Sequence, residues 1–384
     1  MPQFGAPLSV QQMYNGKPYP SFYNPVADLK EYEQGILRVK PGWTPYGDKS
    51  GRMMNWQDSL ITEAVKWRQA NNIPSAFATP QGRGNALIIV DGNNDFVLPT
   101  GNLSVPGALQ DMERITSWIY RNVHNLDHIV ASIDAHLPIQ IFHRLFWLMR
   151  SNAFLPDPMQ MVNLADLNSS FVPMYRPDWD QDWVQHYIEK LGEKDAVVYL
   201  PDGTPVTIEK SLKALMIWTT HCLIGSINQA LNPMLHDVLT FWSAARAKNW
   251  VPLEKGTNEW TEWYSILQAD VAIASDTFTQ INAKILDALM NYKHIYVCGW
   301  AKSHCVFETI KSLVWFFKHT NPAMLKRLHL VMDGMSSVGP IYDANGNLIV
   351  DFEAACQPQY EQWAKDEGIN LVYTTDNGGM MLAA

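Results

Sequence analysis

A chain of 384 residues, 47% apolar and 17% charged, has material for one large domain or two ordinary ones, and this composition excludes a disordered polypeptide. Its formal charge of −9, with the Lys and Arg residues scattered, excludes a binder of phosphate backbones, which needs clustered cations. No apolar run approaches the roughly 20 residues of a membrane helix, and Met1 to Lys17 lacks the apolar centre of a secretion signal. A cytoplasmic protein with free thiols at Cys222, Cys298, Cys305 and Cys356 is therefore expected, and with no C-x-x-C pair a zinc ribbon is excluded.

Residues 1–84 hold Pro, Tyr and Gly clusters (Lys17 to Pro20, Pro41 to Trp43) and little strand signal. One amphipathic helix is predicted from Trp56 to Asn71, with Ile61, Val65 and Trp67 as packing positions and Pro74 closing it. This arm is expected to pack over the main domain or a neighbouring subunit.

A different pattern begins at Asn85. Continuous apolar runs at Ala86–Val90, His128–Ile133, Val238–Trp242, His294–Cys298, Leu328–Met332 and Ile369–Tyr373 read as strands buried on both faces. Helical periodicity lies between several of them, at Pro106–Asn122, Thr277–Tyr292, Val306–His319 and Phe352–Glu367. Such alternation predicts an α/β domain over residues 85–384, with a mainly parallel sheet between two helical layers. A stretch rich in Pro, Asp, Trp and Asn, about 148–216, interrupts the rhythm as a long insertion. It holds one helix at Trp179–Leu191 and a turn at Pro201 to Gly203, and it either covers the strand ends or serves only the scaffold.

Open α/β sheets bind ligands beyond the carboxyl ends of their strands. The first strand ends in Asp91, a candidate general base or merely a turn cap. The second ends in Asp134-Ala135-His136, whose Asp and His lie on one side of an extended chain and suit Zn²⁺, Fe²⁺ or Mn²⁺. The His294 strand runs into Gly299 to Cys305, where a helix begins. Cys305 is there a candidate nucleophile, since backbone N–H groups at a helix start favour thiolate, or a small buried hydrophobe. Cys222, Cys298 and Cys356 read as buried hydrophobes. His143 and His221 are further available ligands.

Six segments fall in a fixed order: Asp91 to Phe96, Gly101 to Gly107, Ser132 to His136, Ile217 to Gly225, Lys255-Gly256, and Cys298 to Cys305. Together, over about residues 85–375, they resemble the isochorismatase-like cysteine hydrolases. The D-x-H pair with Trp218-x-x-His221 resembles the nicotinamidase branch of that family. The resemblance implies a three-layer α/β/α fold. It implies Cys305 as nucleophile, Asp91 as base and Lys255 as the third catalytic residue. Asp134, His136 and His221 would hold one divalent ion, zinc in the first place and iron or manganese as alternatives, with His143 loosely matching a further ligand. Phe96 and Trp218 would flank a pyridine ring. The N–H groups of Ala301 and Cys305 would form an oxyanion hole beside a cis peptide at Trp300–Ala301. The implied reaction is deamidation of nicotinamide, in NAD salvage, by a protein that binds a small carboxamide, neither nucleic acid nor membrane, and that could form a homo-oligomer. Alternatives are an amidase for another carboxamide or an N-carbamoyl compound, and a catalytically silent binding protein. Asn93 stands where a glutamine is common and Ala135 where an aromatic is usual, which bears on the substrate more than on the reaction.

Overall fold

The computed structural model describes residues 56–78, 84–174, 180–193, 195–199, 204–209, 214–343 and 345–375. Six strands form one parallel sheet: β1 (Asn85–Val90), β2 (Leu126–Asp134), β3 (Val251–Lys255), β4 (His294–Gly299), β5 (Leu328–Val331) and β6 (Asn370–Val372). Their order is β6-β5-β4-β1-β2-β3. Every residue of β1 is buried, as its unbroken apolar run requires of a strand covered on both faces. The chain winds outward from β1 through β2 to β3, then returns to β1's other side with β4. The topological switch point, where doubly wound sheets open a crevice, therefore lies between the ends of β1 and β4.

The main helices are α1 (Trp56–Ala70), α2 (Ala108–Arg121), α3 (Asp180–Leu191), α4 (Pro233–Arg246), α5 (Ala283–Leu289), α6 (Phe307–Thr320) and α7 (Phe352–Glu367). Successive β1 side chains point to opposite faces. Leu87 and Ile89 pack into one apolar cluster with Met112 and Ile115 of α2, Leu235 and Leu239 of α4, and Leu60, Ala64 and Trp67 of α1. Ala86, Ile88 and Val90 pack into the other with Leu286 of α5, Ile310 and Leu313 of α6, and Tyr360 and Trp363 of α7. The result is the three-layer α/β/α arrangement.

Several elements differ from the sequence expectation. Val238–Trp242 is the middle of α4, not a strand. Its apolar residues Leu235, Val238, Leu239 and Trp242 fall on helical spacing, and Asn232 caps the helix by accepting from the Met234 N–H, with Pro233 opening it. The third strand is instead β3, hidden because Val251 to Lys255 alternates and includes Pro252; it sits at the sheet edge, where proline is tolerated. Thr277–Tyr292 splits into a 3₁₀ turn, Thr277–Thr279, and the short α5. In α1 the buried face is Leu60, Ala64 and Trp67, while Ile61 and Val65 are partly exposed; each of these lies one residue, about 100°, around the helix from the buried stripe.

Within the 148–216 stretch, short antiparallel pairs join Trp147–Met149 to Phe171–Pro173 and Asp195–Tyr199 to Pro205–Glu209, while Gln160–Val162 pairs with Leu215–Ile217. The first and last of these pairs, with α3, build a third apolar cluster that includes Phe142, Trp147, Tyr187, Ile217 and Trp218. The turn expected at Pro201 to Gly203, Trp179, and the Pro- and Tyr-rich clusters before Trp56 lie outside the described residues. No described helix is long and apolar enough to cross a membrane.

Candidate active site

Three strand ends and one turn converge at the switch point. Asp91 follows β1, Asp134 ends β2, Lys255 ends β3, and Cys305 lies in a five-residue π-helical turn, Lys302–Val306, between β4 and α6. All four side chains are buried. Asp91 has a left-handed backbone (φ +48), a conformation unusual for a residue other than glycine and one that often marks function. Ser132 holds it on two sides: its hydroxyl accepts from the Asp91 N–H at 2.8 Å and donates to Asp91 Oδ1 at 2.6 Å.

Lys255 Nζ is the hub. It lies 3.0 Å from Asp91 Oδ2 and 2.9 Å from Asp134 Oδ1, donates to the Trp263 carbonyl at 2.8 Å, and stands 3.7 Å from Cys305 Sγ. Burial alone would push its ammonium down, but Asp134, Asp91 and the Cys305 sulfur hold it well above the usual lysine range. Burial pushes the Cys305 thiol well up; Lys255 pulls it back, while Asp91 and Asp134 push it further. Asp91 is likewise raised by burial, with Lys255 opposing. Burial also works against the Asp134 carboxylate, yet His136 and Lys255 hold it well below the usual range. Burial thus disfavours both the Cys305 thiolate and the Asp91 carboxylate, and Lys255 is the group that favours the charged form of each.

The histidines share the other oxygen of Asp134. Oδ2 is 2.9 Å from His136 Nε2 and 3.7 Å from His221 Nε2. Each ring turns its Nδ1 to a backbone carbonyl, His136 to Gly256 at 3.0 Å and His221 to Thr219 at 2.7 Å. A carbonyl only accepts, so both Nδ1 atoms carry the proton and each Nε2 presents a lone pair or a second proton to the carboxylate. Two lone pairs aimed at one anionic oxygen are stable only with a cation between them, and orientation of ligand imidazoles by carbonyls is the usual support of a metal site. One ligand atom from each of Asp134, His136 and His221 lies within 4.8 Å of the others, so this donor set fits a divalent ion. His143 stands outside it. Its Nδ1 faces the Leu137 carbonyl at 3.2 Å, and its Nε2 lies 3.4 Å from His221 Nδ1, the atom turned away from Asp134. Burial, then the neighbouring His221 and His136, lower its pKa to about 2.

Phe96 and Trp218 line the same cavity as Ala301 and Cys305. The Trp300–Ala301 peptide is cis, and the Ala301 N–H has no acceptor among the described residues. Asn93 donates from Nδ2 to the Asp134 carbonyl at 2.9 Å and accepts from the Asp134 N–H at 3.0 Å, fixing that residue from both sides. Lys302 turns away from Cys305 to Glu353 and Gln357 of α7, and Lys248 binds the Asp127 carbonyl two residues into β2, far from the strand ends that carry the site.

Four residues of the site carry no role in the sequence reading: Ser132, which braces Asp91, and Glu262, Tyr264 and His304, which line the cavity. Tyr264 accepts from Trp218 Nε1–H at 2.9 Å, and the His304 ring meets Trp218 edge-on at 5.2 Å. Burial, with Asp134 nearby, raises Glu262 to about 8. The signal available in sequence was one acid flanked by aromatics in Trp260 to Tyr264.

Fold and site together define a three-layer α/β protein with a Cys–Asp–Lys cluster and an adjoining Asp–His–His group at the switch point. No family model and no curated protein matches the chain by sequence. Among solved structures it is similar to a nicotinamidase/pyrazinamidase of Acinetobacter baumanii, at 16% identity and a TM-score of 0.46, over 77% of this chain and 99% of that one. The yeast nicotinamidase Pnc1p is similar at 16% identity and 0.43, over 75% and 99%. A Pyrococcus horikoshii pyrazinamidase solved in complex with zinc follows at 18% identity and 0.37, over 75% and 98%.

Proposed function

We propose that this chain is a metal-containing cysteine amidohydrolase that converts a ring carboxamide, nicotinamide in the first place, to its carboxylate and ammonia. The observation that carries the reading is Lys255 Nζ, placed against Asp91, Asp134 and Cys305 at once.

In this mechanism Asp91 takes the Cys305 proton while the Lys255 ammonium steadies the thiolate. Sulfur attacks the carboxamide carbon, and the N–H groups of Ala301 and Cys305 face the oxygen on which charge develops. The C–N bond breaks as Asp91 returns its proton to the nitrogen, releasing ammonia and leaving a thioester. Water then attacks the thioester carbon, Asp91 accepting its proton, and the acid product leaves as the thiol re-forms. Phe96 and Trp218 orient the ring. An ion held by Asp134, His136 and His221, zinc or alternatively iron or manganese, would supply a Lewis-acidic anchor for a ring nitrogen or an ordered water.

The polar wall of Glu262, Tyr264 and His304 favours a second reading, an amidase for a carboxamide or N-carbamoyl compound bearing an extra hydrogen-bonding group. One assay separates them: ammonia release from nicotinamide, with and without a chelator. Chelator-sensitive release supports the first reading; no release from nicotinamide, with release from another carboxamide, replaces it with the second.

A further inference from the structure

Asp95 has no place in the chemistry above, yet it is fully buried, and among the described residues every group bound to its carboxyl is an N–H donor. Oδ1 accepts from the Asn102 N–H at 2.7 Å and from Asn228 Nδ2 at 2.8 Å, and Oδ2 accepts from the Cys222 N–H at 2.6 Å. A buried carboxylate with three hydrogen bonds and no cation beside it among the described residues is held by the loops around it, and it holds those loops in return.

The donors come from three separate segments, each leading to the site. Asn102 lies in the loop that brings Leu103 and Val105 to the cavity. Cys222 follows His221, and its carbonyl accepts from the His136 N–H at 2.9 Å. Asn228 closes the loop beyond, its carbonyl accepting from the Asp95 N–H at 3.1 Å. Phe96 is the next residue. The Asn102 carbonyl in turn accepts from Thr219 Oγ1 at 2.7 Å, and the Thr219 carbonyl orients His221. Gly101 fits only because it lacks a side chain: a Cβ there would stand 2.1 Å from the Asp95 carbonyl oxygen.

We infer that Asp95 is a positioning residue whose single carboxylate sets the aromatic slot and both histidines of the metal site together. Asp95→Asn keeps the size but turns an N–H₂ toward one of the three donors. With Oδ1 keeping its pair, the Cys222 N–H loses its acceptor, and the His221 segment is released.

This inference rests on the proposed metal site, so the test reads metal directly. Co(II) is titrated into metal-free protein and followed by its visible absorption, with affinity measured against a competing chelator. Asp95→Asn is expected to weaken Co(II) by about tenfold or more, the usual cost of losing an outer support of a metal ligand, and to change the band shape. Asp127→Asn, which breaks a buried pair with Arg246 near the start of β2, is expected to lower the melting temperature and leave Co(II) affinity unchanged. If Asp95→Asn does not fold, Asn228→Ala carries the test, with a smaller loss of affinity in the same direction. Wild-type affinity in the folded Asp95→Asn or, failing that, Asn228→Ala variant overturns the inference, as does equal weakening in Asp127→Asn. A wild-type chain that takes up no Co(II) overturns the metal site itself, and the inference with it.

Discussion

Asp134 and Lys255 are neighbours twice: their Cα positions pair across β2 and β3, and their side chains meet at 2.9 Å. One oxygen of Asp134 therefore belongs to the Cys–Asp–Lys cluster and the other to the histidines. Asp134 pushes the Cys305 thiol up, so removing its charge lowers that pKa. In metal-free protein Asp134→Asn is expected to speed alkylation of Cys305 at a fixed pH near neutrality while abolishing both metal uptake and turnover. Slower alkylation would contradict the shared-carboxylate reading.

The nucleophile assignment separates the four thiols. All are buried, but Cys305 alone lies on the cavity with Lys255 against its sulfur. Cys305→Ala is expected to remove turnover with the fold intact, since it trims one small side chain. Cys222→Ala is expected to keep substantial activity, because its backbone, not its sulfur, makes the contacts with Asp95 and His136. Equal loss in two folded variants would refute the assignment; circular dichroism and ammonia release decide it.

Gly256 has φ +79, and a Cβ built there would stand 2.5 Å from His136 Cε1. Gly256→Ala must strain the turn or displace the ring. The expected result is metal affinity lowered by about tenfold or more, seen as a rightward shift in a metal titration, with the sheet intact by far-ultraviolet circular dichroism. Unchanged affinity would show that the His136 ring is not fixed by this turn.

Glu262 gives a pH-dependent prediction. Its carboxyl is raised to about 8 by burial, from an ordinary value of 4.5. Below pH 4.5 both folded and unfolded chains hold the proton, and the group does not alter stability. Between 4.5 and 8 only the unfolded chain ionises, so stability falls as pH rises, and above 8 the loss is complete. At about 1.4 kcal/mol per pKa unit, the loss is a few kcal/mol at most. Glu262→Gln is expected to melt near wild type at pH 4.5 and progressively above it toward pH 8. Parallel melting curves against pH would exclude a buried neutral acid.

The parts of this molecule that were legible in the sequence are those written in one segment. β1 and β4 are unbroken apolar runs, so the sequence itself marks their ends, Asp91 and the Gly299 to Cys305 turn. The D-x-H spacing similarly puts Asp134, which ends β2, and His136, just beyond it, on one side of the extended chain. What stayed hidden depends on partners distant in the chain. Val238–Trp242 has the composition of a buried strand, and only its packing between α1, α2 and the sheet makes its helical spacing decisive. β3 is short, polar in part and proline-bearing, and nothing local to Lys255 says that it pairs with β2. Glu262, Tyr264 and Ser132 acquire meaning only where the sheet brings Lys255, Asp134 and Asp91 beside them. His143 illustrates the converse: its residue type suits a metal, but its ring lies behind His221.

Lys255 provides the sharpest test of mechanism. Among the described residues its Nζ is the one cation in contact with both Asp91 and Cys305, and it pulls the thiol pKa down against burial. Lys255→Met keeps much of the stem and deletes the charge. The Cys305 pKa should then rise, and alkylation of a variant carrying only that cysteine should slow at every pH below the new value. The same change leaves two carboxylates buried without their cation, so stability should fall by about 3–5 kcal/mol, the cost of breaking a buried pair. Lys255→Arg keeps the charge but replaces a compact ammonium with a planar fork, which does not fit three acceptors at 2.8, 2.9 and 3.0 Å around one nitrogen. Arg should therefore keep the cation's downward pull on the thiol pKa and still slow turnover by misplacing Asp91. If the Met variant alkylates and turns over like wild type, Lys255 is a structural cation only, and the proposed thiolate has no charged partner in this site.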